Sequence, residues 1–152
     1  MTAPREPVFQ PAVNYLDNRA ALEWLQRAFG FEPNLIITDD SGKIVHAQMK
    51  FESGVVMVAN EWSDIARSPK SVGGKNTQQV HVHIDGDIDA HCARARAAGA
   101  TILAEPSDQF YGDRTYRAMD PEGHLWTFGQ TVKVVSIAEM EQASGLKLRE
   151  TL

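Results

Sequence analysis

The sequence is poor in cysteine, in long apolar runs and in clustered positive charge. Cys92 is the single cysteine among 152 residues, which excludes an internal disulfide framework and favours a reducing compartment. We expect Cys92 to be a small packed side chain of a helix, not a nucleophile. No apolar run approaches the roughly 18 residues of a membrane span, and residues 1–7 lack the apolar stretch of a signal peptide. We therefore predict a cytoplasmic protein with no membrane partner.

The charge balance argues against a nucleic-acid partner. The chain has 15 Lys and Arg residues against 20 Asp and Glu residues, a formal net charge of -5. Proteins that bind nucleic acid normally concentrate basic residues in a stripe that neutralises phosphates, and the sequence has no such run. With 43% hydrophobic residues, the chain is long enough for one domain with a core and too short for two ordinary domains.

The first part of the sequence predicts the order strand, helix, strand, strand, strand. Apolar positions at helical spacing from Ala21 to Phe29 indicate an amphipathic helix, and Asn18 and Gly30 are typical residues for its two ends. Alternating apolar and polar residues indicate the strands. The predicted elements are strand 8–16, helix 19–29 and strands 35–38, 44–51 and 55–59, with a hairpin turn at 39–42.

The same order is predicted a second time, after a segment typical of a linker. The repeated elements are strand 77–84, helix 87–98 and strands 101–104, 114–119 and 125–130, with a loop at 106–112. We interpret the chain as one domain, 1–152, built from a duplicated unit. Module one covers about 8–60, the linker 61–76, module two about 77–132, and a C-terminal helix or tail 133–152. A helix predicted near 136–148 could close a cavity, meet a second subunit or form a loosely packed tail.

Four segments resemble the vicinal oxygen chelate superfamily, which includes glyoxalases, bleomycin-resistance proteins and extradiol dioxygenases. Segment 23–31 resembles the end of its first helix, 89–99 its second helix, 111–114 a small bacterial branch, and 120–128 its last hairpin with an Asp-Pro-x-Gly-His turn. The resemblance spans about 8–132. It implies an α+β fold of two tandem βαβββ modules, whose curved mixed sheets form a funnel with the helices outside. Many members are homodimers, so we expect a homodimer by analogy.

The resemblance also implies where a metal would bind. Enzymes of the superfamily place one ligand, usually His or Glu, on each of four strands. These positions fall near Gln10 and Met57, and at Gln79 and Thr127. A thioether, two amides and a hydroxyl bind Zn²⁺, Fe²⁺ or Ni²⁺ poorly. We therefore predict a member without the usual metal site and without a cofactor.

Strand alternation predicts which side chains face the cavity. In the run 78–84 the three aliphatic residues share one face, which should pack on the helices, so Gln79, His81 and His83 share the other face. The same argument leaves Thr127 inside the funnel, and three residues of module two are expected at its rim. The complete predicted ligand-binding cavity is Gln10, Asn14, His46, Gln48, Met57, Gln79, His81, His83, Thr127 and the rim residues Tyr111, Arg114 and Tyr116.

Three functions remain open at this point. The residues favour a metal-free small-molecule binding protein of the bleomycin-resistance type, which would sequester an antibiotic or a toxic metabolite. The alternative is a metal-dependent lyase, isomerase or dioxygenase in which His46, His81 and His83 hold a relocated Zn, Ni, Mn or Fe ion. The third is metal-free catalysis by a cavity histidine acting as general base, for which the sequence supplies no nucleophile or orienting carboxylate. We expect His91, on a helix, and His124, in a turn, to face solvent.

Overall fold

A computed structural model describes Ala3 and residues 5–152. The fold is α+β and consists of two βαβββ modules in tandem. Module one contains β1 (Ala12–Tyr15), α1 (Asn18–Phe29), β2 (Glu32–Thr38), β3 (Ile44–Phe51) and β4 (Gly54–Asn60). Module two contains β5 (Val80–His83), α2 (Ile88–Ala97), β6 (Thr101–Asp108), β7 (Asp113–Met119) and β8 (Leu125–Thr131). A third helix, α3 (Ile137–Ser144), follows.

Each module forms its own four-stranded mixed sheet, and the two sheets have the same topology. The strand orders are β1-β4-β3-β2 and β5-β8-β7-β6. In both sheets the first and last strands of the module pair in parallel and the other pairs are antiparallel. The duplication predicted from the sequence is therefore confirmed at the level of strand order and direction.

Several element ends differ from the sequence prediction. Strand β1 begins only at Ala12, because proline at positions 7 and 11 offers no N–H for a ladder, and Phe9 is 88% exposed. The N-cap of α1 is Asp17 and not Asn18: the Asp17 carboxylate accepts the backbone N–H of Ala20 at 3.0 Å. Strand β6 continues to Asp108, with register shifts where a loop was predicted.

The helix-bearing faces of the two sheets contribute to one common core. Alternate residues of the strands enter it, including Trp126 and Phe128 of β8. Phe29, the last residue of α1, lies across the module boundary, with its ring centroid 4.6 Å from Phe128 and 5.6 Å from Trp126. Burial of a large side chain of this kind contributes about 1.5–3 kcal/mol. The modules therefore share a core and are not joined by a linker alone.

The two helices satisfy each other's C-terminal carbonyl groups. Trp24 of α1 donates its indole N–H to the carbonyl of Ala98, beyond α2, at 2.8 Å. In return, the guanidinium of Arg94 on α2 donates to the carbonyls of Gln26 and Arg27 of α1, both at 2.9 Å. The last carbonyls of a helix have no partner within the helix, so these reciprocal bonds fix α1 against α2.

The turn between β7 and β8 also links the two modules through hydrogen bonds. The buried Asp120 carboxylate accepts the hydroxyl of Tyr15 at 2.7 Å and the indole N–H of Trp126 at 3.1 Å. Burial, together with this carboxylate, holds the pKa of Tyr15 well above its usual range, so the phenol remains a donor. Glu122 of the same turn accepts the backbone N–H of Leu16 and the hydroxyl of Ser68, both at 2.7 Å.

Residues 61–76 and the C-terminal segment differ in how they pack. The first segment contains a short 3-10 helix, Pro69–Val72. Ser68, which caps the start of this helix, is fully buried. Helix α3 has a capping box formed by Ser136 and Glu139 but no buried residue, and it contacts none of the other described elements. None of the helices in the described part of the chain has the length and apolar character needed to cross a bilayer.

Candidate functional site

Each sheet has a second face, which points away from the helices and which we call its open face. In module one, the strand register places Gln48 beside Met57 of β4 and Leu35 of β2, and it places His46 beside Ile37. Leu35 and Ile37 are 44% and 45% exposed. The first open face is therefore largely apolar, with an imidazole and an amide among aliphatic groups.

The open face of module two is polar and carries a cavity of about 330 Å³. The register places Thr127 beside His81 on one side and beside Arg117 on the other. Neither Asp nor Glu is among the residues that line this cavity, which are Gln79, His81, Ala104, Ser107, Gln109, Tyr111, Thr115, Tyr116, Arg117 and Thr127. Five predicted cavity residues are thus brought together: Gln79, His81, Tyr111, Tyr116 and Thr127.

The His81 ring lies over Gly129 of β8, two residues beyond its register partner Thr127, where no side chain occupies the space. A Cβ at Gly129 would stand 3.1 Å from Nε2 of His81 and 3.4 Å from the side chain of Thr115. The imidazole therefore occupies the space above Gly129. The predicted orientation of the strand is also observed, since the register aligns His81 with Thr127 and His83 with Gly129.

The remaining predicted residues are distributed over other parts of the surface. Asn14, His46, Gln48 and Met57 belong to the first sheet, and among the described residues no strand of that sheet pairs with a strand of the second. Gln10 precedes β1, and its amide donates to the carbonyl of Pro7 at 3.3 Å. His83 lines a second, mainly apolar cavity of about 350 Å³ at the module boundary, which His81 also borders, together with Phe51, Val55 and Trp126.

Two predicted rim residues have the opposite orientation. The Tyr116 side chain is 1% exposed and lies in the core, because β7 aligns it with the buried Phe128. Arg114 lies on that same side of β7, where its guanidinium donates to Asp89 and Asp108, all at 2.9 Å. The expectation that Arg114 rims the cavity is therefore corrected, since the alternation of β7 sends its odd-numbered residues to the open face. Tyr116 borders the cavity as expected, although its side chain is buried.

Two histidines expected in solvent are packed against other residues, His91 half-buried and His124 buried. His91 of α2 contacts the hydroxyl of Tyr116 through Nδ1 at 2.7 Å and the carbonyl of Phe29 through Nε2 at 2.9 Å. A carbonyl only accepts, so Nε2 carries the proton and Nδ1 accepts from the tyrosine. Burial lowers the pKa of His91, which keeps the ring neutral. His124 is 9% exposed and donates from Nε2 to the carbonyl of Asn14 at 2.6 Å.

Arg117 is the charged residue among the cavity-lining residues that the sequence did not predict, which also include Ala104, Ser107, Gln109 and Thr115. Its Nε donates to the hydroxyl of Thr127 at 3.2 Å. The signal was present in the alternation of β7: once Tyr116 is assigned to the core, Thr115 and Arg117 must face the cavity. Tyr111 stands at the same cavity, on a loop held by close backbone contact. A Cβ at Gly112 would come within 2.0 Å of the Lys133 carbonyl.

The residues at the superfamily's four metal positions do not fit a metal ion. Met57 belongs to the first sheet and Thr127 to the second. The Thr127 hydroxyl already accepts from the Arg117 guanidinium, whose charge would oppose a neighbouring cation. Within one chain the described residues contain no group of three or more His, Cys, Asp or Glu placed to hold a metal, so the alternative set of His46, His81 and His83 stays a prediction.

Comparison with known proteins agrees with this architecture. Residues 10–128 match the model of the Glyoxalase/Bleomycin resistance protein/Dioxygenase superfamily. An uncharacterized protein of Mycobacterium bovis is 30% identical over 142 residues, covering 91% of this chain and 92% of its own length. TioX from Micromonospora sp. ML1 is 36% identical, with a TM-score of 0.66 over 80% of this chain and 96% of its own. TnmS3, an antibiotic binding protein from Streptomyces sp. CB03234, is 21% identical, with a TM-score of 0.64 over 86% and 99%. The chain belongs to the Glyoxalase/Bleomycin resistance protein/Dioxygenase superfamily.

Proposed function

We propose that this protein is a small-molecule binding protein, acting without a metal, and that it sequesters an organic ligand such as an antibiotic. The observation that carries the proposal is the cavity on the second open face, lined by His81, Arg117 and Thr127 and free of carboxylates. Ligand sites combine a concave surface with a few placed polar groups that fix orientation. The shared fold with TnmS3, an antibiotic binding protein, is compatible with this use of the scaffold.

We also propose that the functional unit is a homodimer. Within one chain the open face of module one is exposed, although it carries Leu35, Ile37 and Met57. A twofold axis that sets this face of one copy against the second open face of its partner makes the contact twice, because such an interface is isologous. Each of the two resulting funnels would then combine an apolar wall with a polar wall. Covering the aliphatic groups favours association at about 25 cal/mol per Å² of apolar surface removed from water.

The test of binding uses a substitution that fills the cavity without entering the core. Ser107 is exposed on β6 and lines the cavity, whereas Thr101 is exposed on the same strand and does not. Ser107→Trp should abolish the thermal shift given by active members of a panel of aromatic antibiotics, and Thr101→Trp should preserve it. A panel in which no compound binds, or in which Ser107→Trp binds as the parent does, would overturn the proposal.

Metal dependence is tested on protein purified without a histidine tag. A bound ion raises the thermal midpoint as its concentration exceeds its dissociation constant, so addition of Zn²⁺, Ni²⁺, Mn²⁺ or Fe²⁺ should leave the midpoint unchanged. One metal per subunit that is lost in His81→Ala would contradict the metal-free proposal and redirect the work towards lyase and dioxygenase substrates.

A further inference from the structure

Of the four arginines in module two, Arg117 is the one whose terminal nitrogens make no hydrogen bond to the described residues. Arg94 donates to two helix carbonyls, Arg96 pairs with Glu105, and Arg114 pairs with Asp89 and Asp108. Arg117 makes one bond, from Nε to the Thr127 hydroxyl. No carboxylate of the described residues lies within ion-pair distance of it. Neither of its terminal nitrogens therefore has an acceptor among the residues that the structure describes.

The surroundings of Arg117 offer donors and no counter-ion. Its cavity also contains the imidazole of His81, the amide of Gln79 and the phenol of Tyr111. On its own strand, the acidic residue that alternation places on the same face is Asp113. That residue lies four positions away, about 13 Å along the strand, and its carboxylate accepts the hydroxyl of Thr131 at 2.8 Å. The positive charge in the cavity is thus uncompensated locally, in a chain whose net charge is -5.

We propose that the ligand of the second open face is an organic anion whose carboxylate, sulfonate or similar acidic group is bound by Arg117. A guanidinium presents paired N–H groups that match two oxygens of such an anion, and these charge-assisted bonds are about twice as strong as neutral ones. The body of the ligand is apolar or aromatic, because the opposing wall of the proposed funnel carries Leu35 and Ile37. This inference rests on the proposed binding function and names the chemical class of the ligand.

The inference is tested with two fluorescent probes that differ by one anionic group. Anilinonaphthalene sulfonate carries a sulfonate, and N-phenylnaphthylamine is its neutral counterpart. Arg117→Gln should weaken binding of the sulfonate probe at least tenfold and leave the neutral probe within twofold. Arg149→Gln is the matched control, because it removes the same charge from an exposed residue outside the cavity. Binding of the sulfonate should also weaken as salt is raised, since screening acts on the ion pair.

The outcomes separate the two proposals. If Ser107→Trp abolishes binding of the neutral probe but Arg117→Gln leaves the sulfonate probe unchanged, the anion inference is wrong and the binding function stands. Equal weakening of the binding of both probes in Arg117→Gln also overturns the inference, because Arg117 would then affect the shape of the cavity and would not recognise the anionic group. If neither probe binds, or neither is affected by Ser107→Trp, the binding function fails and the inference fails with it.

Discussion

The two modules share one strand order and present different open faces. On its open face, module one carries Leu35, Ile37 and Met57 around His46 and Gln48, whereas module two carries His81, Thr115 and Arg117 around a cavity. On the helix side the two sheets contribute alike, with alternate apolar residues entering one core. Duplication has therefore preserved the backbone and the core pattern, and the modules differ where a ligand or a second chain would bind.

The last hairpins of the two modules also differ, in the number of hydrogen bonds that each makes to the other module. In module one, β3 and β4 are joined by a tight turn in which Glu52 has a positive φ of 50°, and its carboxylate accepts the backbone N–H of Asp85 at 3.1 Å. In module two, the longer turn from Asp120 to His124 makes hydrogen bonds to four successive residues of module one, 14–17, and to Ser68 and Asn76 of the linker. The second hairpin thus makes four hydrogen bonds to the other module, whereas the first hairpin makes one.

The largest effect on stability is expected from a substitution that removes the hydrogen bonds of that second hairpin. The Asp120 carboxylate accepts four bonds, from Tyr15, Trp126 and the backbone N–H groups of Glu122 and His124. Asp120→Ala should lower the free energy of unfolding by about 3–5 kcal/mol, since each buried donor left unpaired costs about 1–3 kcal/mol. Urea denaturation measures this, and Asp64→Ala, at an exposed carboxylate, is the control. A loss below about 1 kcal/mol would contradict a clamping role.

The next largest effect concerns the apolar open face. Ile36 and Ile37 are adjacent and almost equally exposed, at 44% and 45%, but only Ile37 lies on the open face, since Ile36 pairs with the buried Ala47. Ile37→Glu should weaken dimerisation more than tenfold, that is by more than about 1.4 kcal/mol, whereas Ile36→Glu should not. Sedimentation over a range of concentrations measures both, and equal behaviour of the two variants would remove this face from the interface.

A smaller effect is expected at the glycine beneath His81. A Cβ in Gly129→Ala would stand 3.1 Å from the imidazole, so the ring must shift and the sulfonate probe should bind about three- to tenfold more weakly, a change of about 0.7–1.4 kcal/mol. Gly86→Ala is the control, because nothing lies within 4 Å of the added carbon. Unchanged binding in Gly129→Ala would show that the position of His81 does not matter for the ligand.

The smallest effect is a pH dependence on the core side of module two. Burial lowers the pKa of His91 from its ordinary value of 6.5, so the unfolded chain takes up this proton first. The neutral ring's contribution is complete above pH 6.5 and is lost as pH falls from there to the lowered pKa of the folded state. The urea midpoint should therefore fall less on acidification in His91→Gln than in the parent, while His83→Gln, at an exposed ring, should behave as the parent. Identical profiles for His91→Gln and the parent would contradict this.

Local patterns predicted the backbone well and the cavity only in part. Alternation in β5 and β8 correctly placed Gln79, His81 and Thr127 together, because the aliphatic and aromatic residues between them had to be buried. In β7 the alignment of Tyr116 with the buried Phe128 places the Tyr116 and Arg114 side chains on the helix side of the sheet, a pairing that β7 alone does not reveal. The polar partners of His91 and His124 lie far away in sequence, so no local pattern could show that these rings are packed against other residues.

The central claim, that opposed open faces of two chains bind a small molecule, is tested most directly by native mass spectrometry with the neutral naphthylamine probe. The account predicts a dimer that carries two probes, one for each funnel of an isologous pair. It further predicts that Ser107→Trp remains a dimer but carries none. A monomer that binds the probe as tightly as any dimer, or a dimer whose probe is retained in Ser107→Trp, would contradict the account.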